Sequence, residues 1–320
     1  MPPASLQPGS REEESTLRAF AGAVARVRKE SWGNPLGYLF IAPAILLYLV
    51  FNFWVLVRGF LMAFTNYRFL IPGSNWAWNG LRNYQIMLND RFFWAALLVS
   101  AKYIVLVLPT MIVLALLVAV FIWKAPVGAG FFRWLVYLPV ILPISVSMLL
   151  WQQVYNPQYG YIDSVLKGIG MSHPPDWLGD AHYALASVAI ASVWRSFGFS
   201  ALLFLVGLYA ISGDLFEAAA IDGAGPLRQL WHITLPLLRP TFALVLVLQI
   251  GLLYGTQEVL LLTNGGPANA TTTIGFYIFQ VAFAEGDLRL GYAAAMSLAV
   301  GLVMAVFTAL TLRYLRGDAT

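Results

Sequence analysis

The chain has 320 residues, 60% of them apolar and 11% charged, with a formal net charge of +4 and no cysteine; its mean hydropathy is +0.73. Soluble domains average about 45–50% apolar and about 25% charged residues, so this composition excludes an ordinary water-soluble enzyme and calls for a bilayer. It also excludes a disordered chain, a collagen and a disulfide scaffold, and it leaves no thiol for metal binding or nucleophilic chemistry.

Residues 1–34 form the one long polar stretch, with an acidic run from Glu12 to Glu14 followed by Arg26, Arg28 and Lys29. This segment reads as a tail rather than a signal peptide, because the first apolar run begins only near Leu36. Runs long enough to cross a core of about 30 Å at about 1.5 Å per residue follow at 36–57, 103–123, 134–155, 183–209, 241–262 and 292–312. The expected fold is therefore an all-α membrane protein of about six transmembrane helices, with a spanning domain at 35–314 and a short tail at 315–320. Pro43, Pro109, Pro139 and Pro143 fall within or beside these runs and read as kinks, which membrane helices tolerate when neighbours satisfy the freed carbonyls.

Basic residues orient the spans. Arg11, Arg18, Arg26, Arg28, Lys29, Lys124, Arg133, Arg228, Arg239, Arg313 and Arg316 lie on one side, against Arg68, Arg82, Arg91, Lys167 and Arg289 on the other. Eleven against five places both termini in the cytoplasm. The positive charge thus concerns topology and calls for no nucleic-acid partner.

The segment 212–240, between the fourth and fifth spans, is no simple connector. Asp214 and Glu217 have the spacing of a capping box, Ala218, Ala219 and Ala220 favour helix, and Gly223 can take the left-handed conformation that ends it. Pro226 suits the first turn of a second short helix, which Pro236 closes. The pattern predicts a helix, a sharp bend and a second helix, presenting Phe216, Leu227, Leu230 and Trp231 beside Glu217, Asp222 and Arg228. An amphipathic helix lying on lipid would instead carry a basic polar face, and the first helix here is acidic.

Glu217-Ala218-Ala219, then Asp222-Gly223, Ile233 and Leu235-Pro236, resemble in identity and spacing the EAA loop of the membrane subunits of bacterial ATP-binding-cassette (ABC) importers, those for carbohydrates in particular. Four further blocks agree in order: Gly80-Leu-Arg-Asn-Tyr84, Tyr155-Asn-Pro-Gln-Tyr-Gly160, Val193-Trp-Arg195, and Leu262-Thr-Asn-Gly-Gly-Pro267 with Ala270-Thr-Thr-Thr273. The last is similar to the first-type permease of the maltose and glycerol-phosphate systems. The resemblance implies a type I importer fold in the inner membrane, with a second, related permease as a heterodimer partner rather than a second copy. It further implies two ATPase subunits holding ATP and Mg beneath the EAA loop, and an extracytoplasmic sugar-binding protein that delivers the solute.

The residues themselves support a missing engine. None of Lys29, Lys102, Lys124 and Lys167 follows a glycine, so a Gly-x-x-x-x-Gly-Lys phosphate loop is absent and no cofactor is expected on this chain. Sugar sites combine aromatic faces with a few placed hydrogen-bonding groups. Candidates here are Gln152 and Tyr155 in the third span, Trp194 and Arg195 in the fourth, Gln249, Tyr254 and Gln257 in the fifth, and Ser297 in the sixth. Arg195, near the middle of its span, needs a partner and a wet or protein surface, and Asp163 and Glu258 are the available acids. The alternatives are an ion-gradient-driven secondary transporter, which expects intramembrane acids that are nearly absent, and a membrane enzyme. The enzyme reading finds only His173, His182 and His232, without a metal-binding spacing.

Overall fold

The computed structural model describes residues 35–71, 76–124, 127–253, 255–284, 286 and 288–316. Among these, all regular structure is helical apart from one isolated antiparallel bridge between Thr65 and Trp78. The expected tail at 1–34 and the end of the chain after Arg316 lie outside the described residues.

The chain divides into two units, Met1–Leu61 and Met62–Thr320. The first contributes helix α1 (Pro35–Tyr48), which contains Pro43 and runs through a π-helical turn at Leu49–Phe53 into Trp54–Met62. As Tyr38–Met62 it is long and apolar enough to cross a membrane.

In the second unit a short helix α2 (Arg82–Asn89) precedes α3 (Arg91–Lys124). The helix α3 begins a dozen residues before the apolar run that predicts it, because the turn preceding Lys102 packs too: Phe93 and Ala96 are buried against later helices. Along α3, Tyr103, Val107, Met111, Ala115, Ala119 and Ile122 recur at nearly every fourth position and form one buried stripe. That stripe packs on α7 (Ala184–Tyr209), which contributes Val188, Ala191, Ala201, Phe204 and Leu208. Small residues let these helices approach closely, as expected where lipid supplies no hydrophobic drive between helices.

Two expected spans are broken. The third consists of α4 (Ala129–Ile141) and α5 (Ile144–Val154), which meet at 97° across Leu142 and Pro143. Pro143 is thus a corner, not a kink, since its ring and missing N–H prevent the helix from running through. Pro43, Pro109 and Pro139 do stay inside helices. After α5 comes the short α6 (Tyr161–Gly168). The fifth span is α10 (Arg239–Gln249), a 3-10 turn at Ile250–Leu253, and α11 (Thr256–Leu262). Gly255 has φ +49°, and a Cβ there would press on the Tyr103 ring at 3.0 Å, so glycine answers both a backbone and a packing demand. Helix α12 (Ile274–Ala284, π-helical over its second half) and α13 (Leu290–Arg316) complete the chain.

Contacts sort the loops between two ends of this unit. At one end Trp123 meets Phe216, and Arg133 Nη2 donates to Tyr209 Oη at 2.6 Å. At the other, Asp90 accepts from the hydroxyls of Tyr277 and Tyr292, each at 2.6 Å, and from the Phe92 N–H at 2.8 Å, which clamps the starts of α3 and α13 to α12. Burial would raise the Asp90 carboxyl, but these hydrogen bonds outweigh it and hold the group below the usual carboxylate range. The Gly80–Tyr84 block has a physical reason at this end as well: buried Asn83 donates to the carbonyls of Ala63 at 2.8 Å and Thr65 at 2.9 Å.

Candidate functional site

The segment between α7 and α10 forms the expected helix, bend and helix. Helix α8 (Gly213–Ile221) starts two residues earlier than the capping-box reading has it: Ser212 is the N-cap and accepts from the Asp214 N–H, so Asp214 sits in the first turn instead. An acid there still complements the N-terminal end of the helix dipole. At the other end Gly223 takes φ +74°. Its N–H reaches the Ala220 carbonyl at 3.0 Å, and the Ala224 N–H reaches the Ala219 carbonyl at 2.8 Å, the two bonds of a Schellman cap. The bend therefore has defined geometry.

Helix α9 (Pro226–Leu237) follows, with Pro226 at its first turn and a π-helical stretch at Leu230–Thr234. It lies at 63° to α10. Gln229 clasps the two arms together, its Nε2 donating to the Ala224 carbonyl at 3.0 Å and the Phe216 carbonyl at 3.4 Å. The sequence pattern assigned Gln229 no role, because an amide three residues past a proline carries no signal until the bend exists.

The exposed face differs in one respect from the expected one. Phe216 turns inward against Trp123, with ring centroids 5.1 Å apart, and Leu230 is half-buried. Ile221 at 87% exposure and Leu215 join Leu227 and Trp231 outside. Glu217, Ala218, Asp222 and Arg228 are exposed beside them, while Ala219, Ile233, Leu235 and Pro236 are partly buried where the loop meets the spans.

The second feature lies midway along α7. Arg195 Nη2 donates to Glu258 Oε1 at 3.2 Å, with side chains 27% and 7% exposed. Sequence position alone sets Glu258 toward the end of the fifth span; a 3-10 turn at Ile250–Leu253 and the left-handed Gly255 interrupt that span, and α11 beyond them carries the carboxylate that meets Arg195 on α7. Asp163, the other available acid, is buried elsewhere, accepting from Trp177 Nε1 at 2.7 Å. Gln152 on α5 donates to the Leu261 carbonyl, so α11 is held from two sides. Trp194 is half-buried and meets Trp151 edge-on at 5.8 Å.

The remaining candidates disperse. Tyr155 is buried, its hydroxyl donating to the Ser187 carbonyl at 3.0 Å, which makes it a packing residue here. Gln249 donates to Ser200 Oγ at 2.9 Å beside an apolar cavity, and Ser297 bonds the Ala293 carbonyl of its own helix. Gln257 is exposed next to Glu258. Tyr254 lies outside the described residues. The Leu262–Pro267 and Ala270–Thr273 blocks close on each other as one loop, through Thr263 Oγ1 to Thr271 Oγ1 at 2.7 Å and Thr272 Oγ1 to the Gly265 carbonyl at 3.0 Å.

Residues 86–316 match the family described as the binding-protein-dependent transport system inner membrane component. The chain belongs to this family. It is the membrane-spanning permease subunit of an ABC importer, and its fold is that of such permeases. The permease is 34% identical to the trehalose/maltose transport system permease protein MalF of Thermococcus litoralis, over 87% of this chain and 92% of that one. It is 32% identical to the sn-glycerol-3-phosphate transport system permease protein UgpA of Agrobacterium fabrum, over 87% and 95%. With the diacetylchitobiose uptake system permease protein NgcF of Streptomyces coelicolor it shares 33% identity, over 96% and 89%. A crystal structure of a bacterial ABC transporter that imports the acidic polysaccharide alginate contains a chain that superposes with a TM-score of 0.76, at 23% identity, over 92% of the permease and 100% of that chain. At that identity the likeness is one of fold.

Proposed function

We propose that the permease moves a sugar or sugar-like solute into the cell by alternating access, driven by ATP hydrolysis on two partner ATPase subunits that dock on α8 and α9. The observation that carries this reading is the bend at Gly223. Two short helices held at a set angle by a Schellman cap and the Gln229 clasp present exposed Ile221, Leu227 and Trp231 to the space outside the spans. Apolar side chains rimmed by Glu217, Asp222 and Arg228 suit a protein groove better than water. Because α8 joins α7 through three residues, a push on the loop would pass directly into the unbroken helix that carries Arg195.

The rest of the assembly follows from this reading. A second, related permease completes the pathway as a heterodimer, and an extracytoplasmic binding protein delivers the solute to the end built around Asp90. Both termini face the cytoplasm, on the side to which the charge bias assigns Lys124, Arg133, Arg228 and Arg239. ATP and Mg are held by the ATPase subunits. The trehalose, maltose and diacetylchitobiose named for the relatives support the solute class.

The test is uptake of maltose, trehalose, lactose, diacetylchitobiose and glycerol 3-phosphate by the co-purified complex in proteoliposomes, each with the delivery protein outside and ATP inside. Uptake that requires ATP and survives collapse of proton and sodium gradients supports the proposal. Uptake that follows an ion gradient in the absence of ATP would overturn it.

A further inference from the structure

The Arg195–Glu258 pair is more than a helix clamp by three observations. First, its members are unequally covered: Glu258 is behind, and Arg195 retains an exposed edge. A guanidinium at the middle of a span does not turn that edge to hydrocarbon, so it faces a wet pathway or the second permease that encloses one. Second, Arg195 Nε is a buried donor with no hydrogen-bond partner among the described residues, although the guanidinium has five N–H groups and buried donors are nearly always paired. Third, the residues flanking the pair in sequence are of the types that hold sugars: Trp194, half-buried with its ring edge-on to Trp151, and Gln257, exposed beside Glu258.

We propose that Arg195 donates hydrogen bonds to the solute in the pathway while Glu258, behind it, cancels its charge, so that this wall receives neutral polyhydroxylated solutes and rejects anions. The inference rests on the importer reading and deepens it to a solute class. Arg195 supplies a planar fork that matches vicinal hydroxyls. The Glu258 carboxylate occupies the position an anionic solute would otherwise exploit, leaving the wall with no net charge to repay that solute's lost hydration.

Two variants separate this role from simple packing. In Arg195→Met/Glu258→Leu both charges are replaced by apolar groups of similar size, a change that buried ion pairs tolerate without loss of folding. Complex yield is expected to stay within about twofold of wild type, while KM for uptake of the neutral disaccharide rises about tenfold or more, the cost of a hydrogen bond from a charged donor. Glu258→Gln uncovers the arginine. Glucuronate enclosed in the vesicles, on the side opposite delivery, is expected to inhibit disaccharide uptake by Glu258→Gln and not by wild type.

A double variant with unchanged KM reduces the pair to a clamp and overturns the proposal, as does equal glucuronate inhibition of both proteins. Wild type that carries glycerol 3-phosphate and none of the neutral disaccharides overturns the neutral-solute assignment while leaving the importer reading intact. Failure of ATP-driven uptake of every probe would instead strike the importer reading itself.

Discussion

Replacing Gly223 by valine perturbs the loop at its one left-handed residue. The backbone there has φ +74°, and a Cβ would meet nothing within 4 Å, so the cost of a side chain is conformational rather than steric. An L-residue in that region costs about 1–2 kcal/mol, and β-branching adds to it. The two Schellman bonds to Ala219 and Ala220 depend on that conformation, so the bend loses population by a factor of about 5–30. Gly225 is the internal control, since its φ of −66° and open surroundings accept alanine freely. Asparagine, which visits the left-handed region more readily than other residues, serves as a partial rescue at Gly223. ATPase activity and uptake are read in the same proteoliposomes. Gly223→Val is expected to assemble but to lower solute transported per ATP about 5–30-fold, Gly223→Asn to recover much of it, and Gly225→Ala to match wild type. Wild-type stoichiometry in Gly223→Val would refute the argument that the cap sets the geometry of coupling.

Other consequences can be measured directly. Gln229→Ala removes the clasp between the two arms, worth about 1 kcal/mol, and is expected to reduce solute-stimulated ATPase activity without loss of complex yield. Tyr155→Phe deletes one buried hydrogen bond and is expected to lower the Tm of the purified complex, at a cost of about 0.5–1.5 kcal/mol, while uptake persists. The Asp90 carboxyl lies below its ordinary range, so its stabilising contribution is present above the unfolded-state pKa of about 4 and is lost as pH falls through the lower folded-state value. A pH series of thermal melts should show that acid limb in wild type and a weaker one in Asp90→Asn; identical limbs would mean that Asp90 makes no contribution to acid stability.

Much of this architecture is legible in the sequence because bilayer thickness turns hydropathy directly into helix length. The loop is legible for a different reason. Gly223, Pro226 and the alanine run each constrain the backbone locally, so their order alone dictates a bend between two helices. Where local rules and tertiary contacts compete, the tertiary contacts win. Leu142-Pro143 is a corner of 97° although the apolar run continues through it, since hydropathy is blind to direction. Phe216 turns inward because Trp123, distant in sequence, offers it a ring. The Arg195–Glu258 pair was visible as a demand, a buried charge needing an acid, but its answer depended on the break at Gly255. Tyr155 and Ser297 illustrate the reverse: polar groups that look available in a span find carbonyls nearby.

The absence of native cysteine allows the docking of an ATPase subunit on the loop to be probed at a single position. A lone cysteine at Ile221, on the exposed apex of the bend, can carry a short photoactivatable crosslinker in the intact complex. If α8 and α9 dock an ATPase subunit, Ile221 crosslinks to that subunit with a yield or site that changes between nucleotide-free and ATP-bound states. Crosslinking to lipid or to the second permease alone, indifferent to nucleotide, would contradict it.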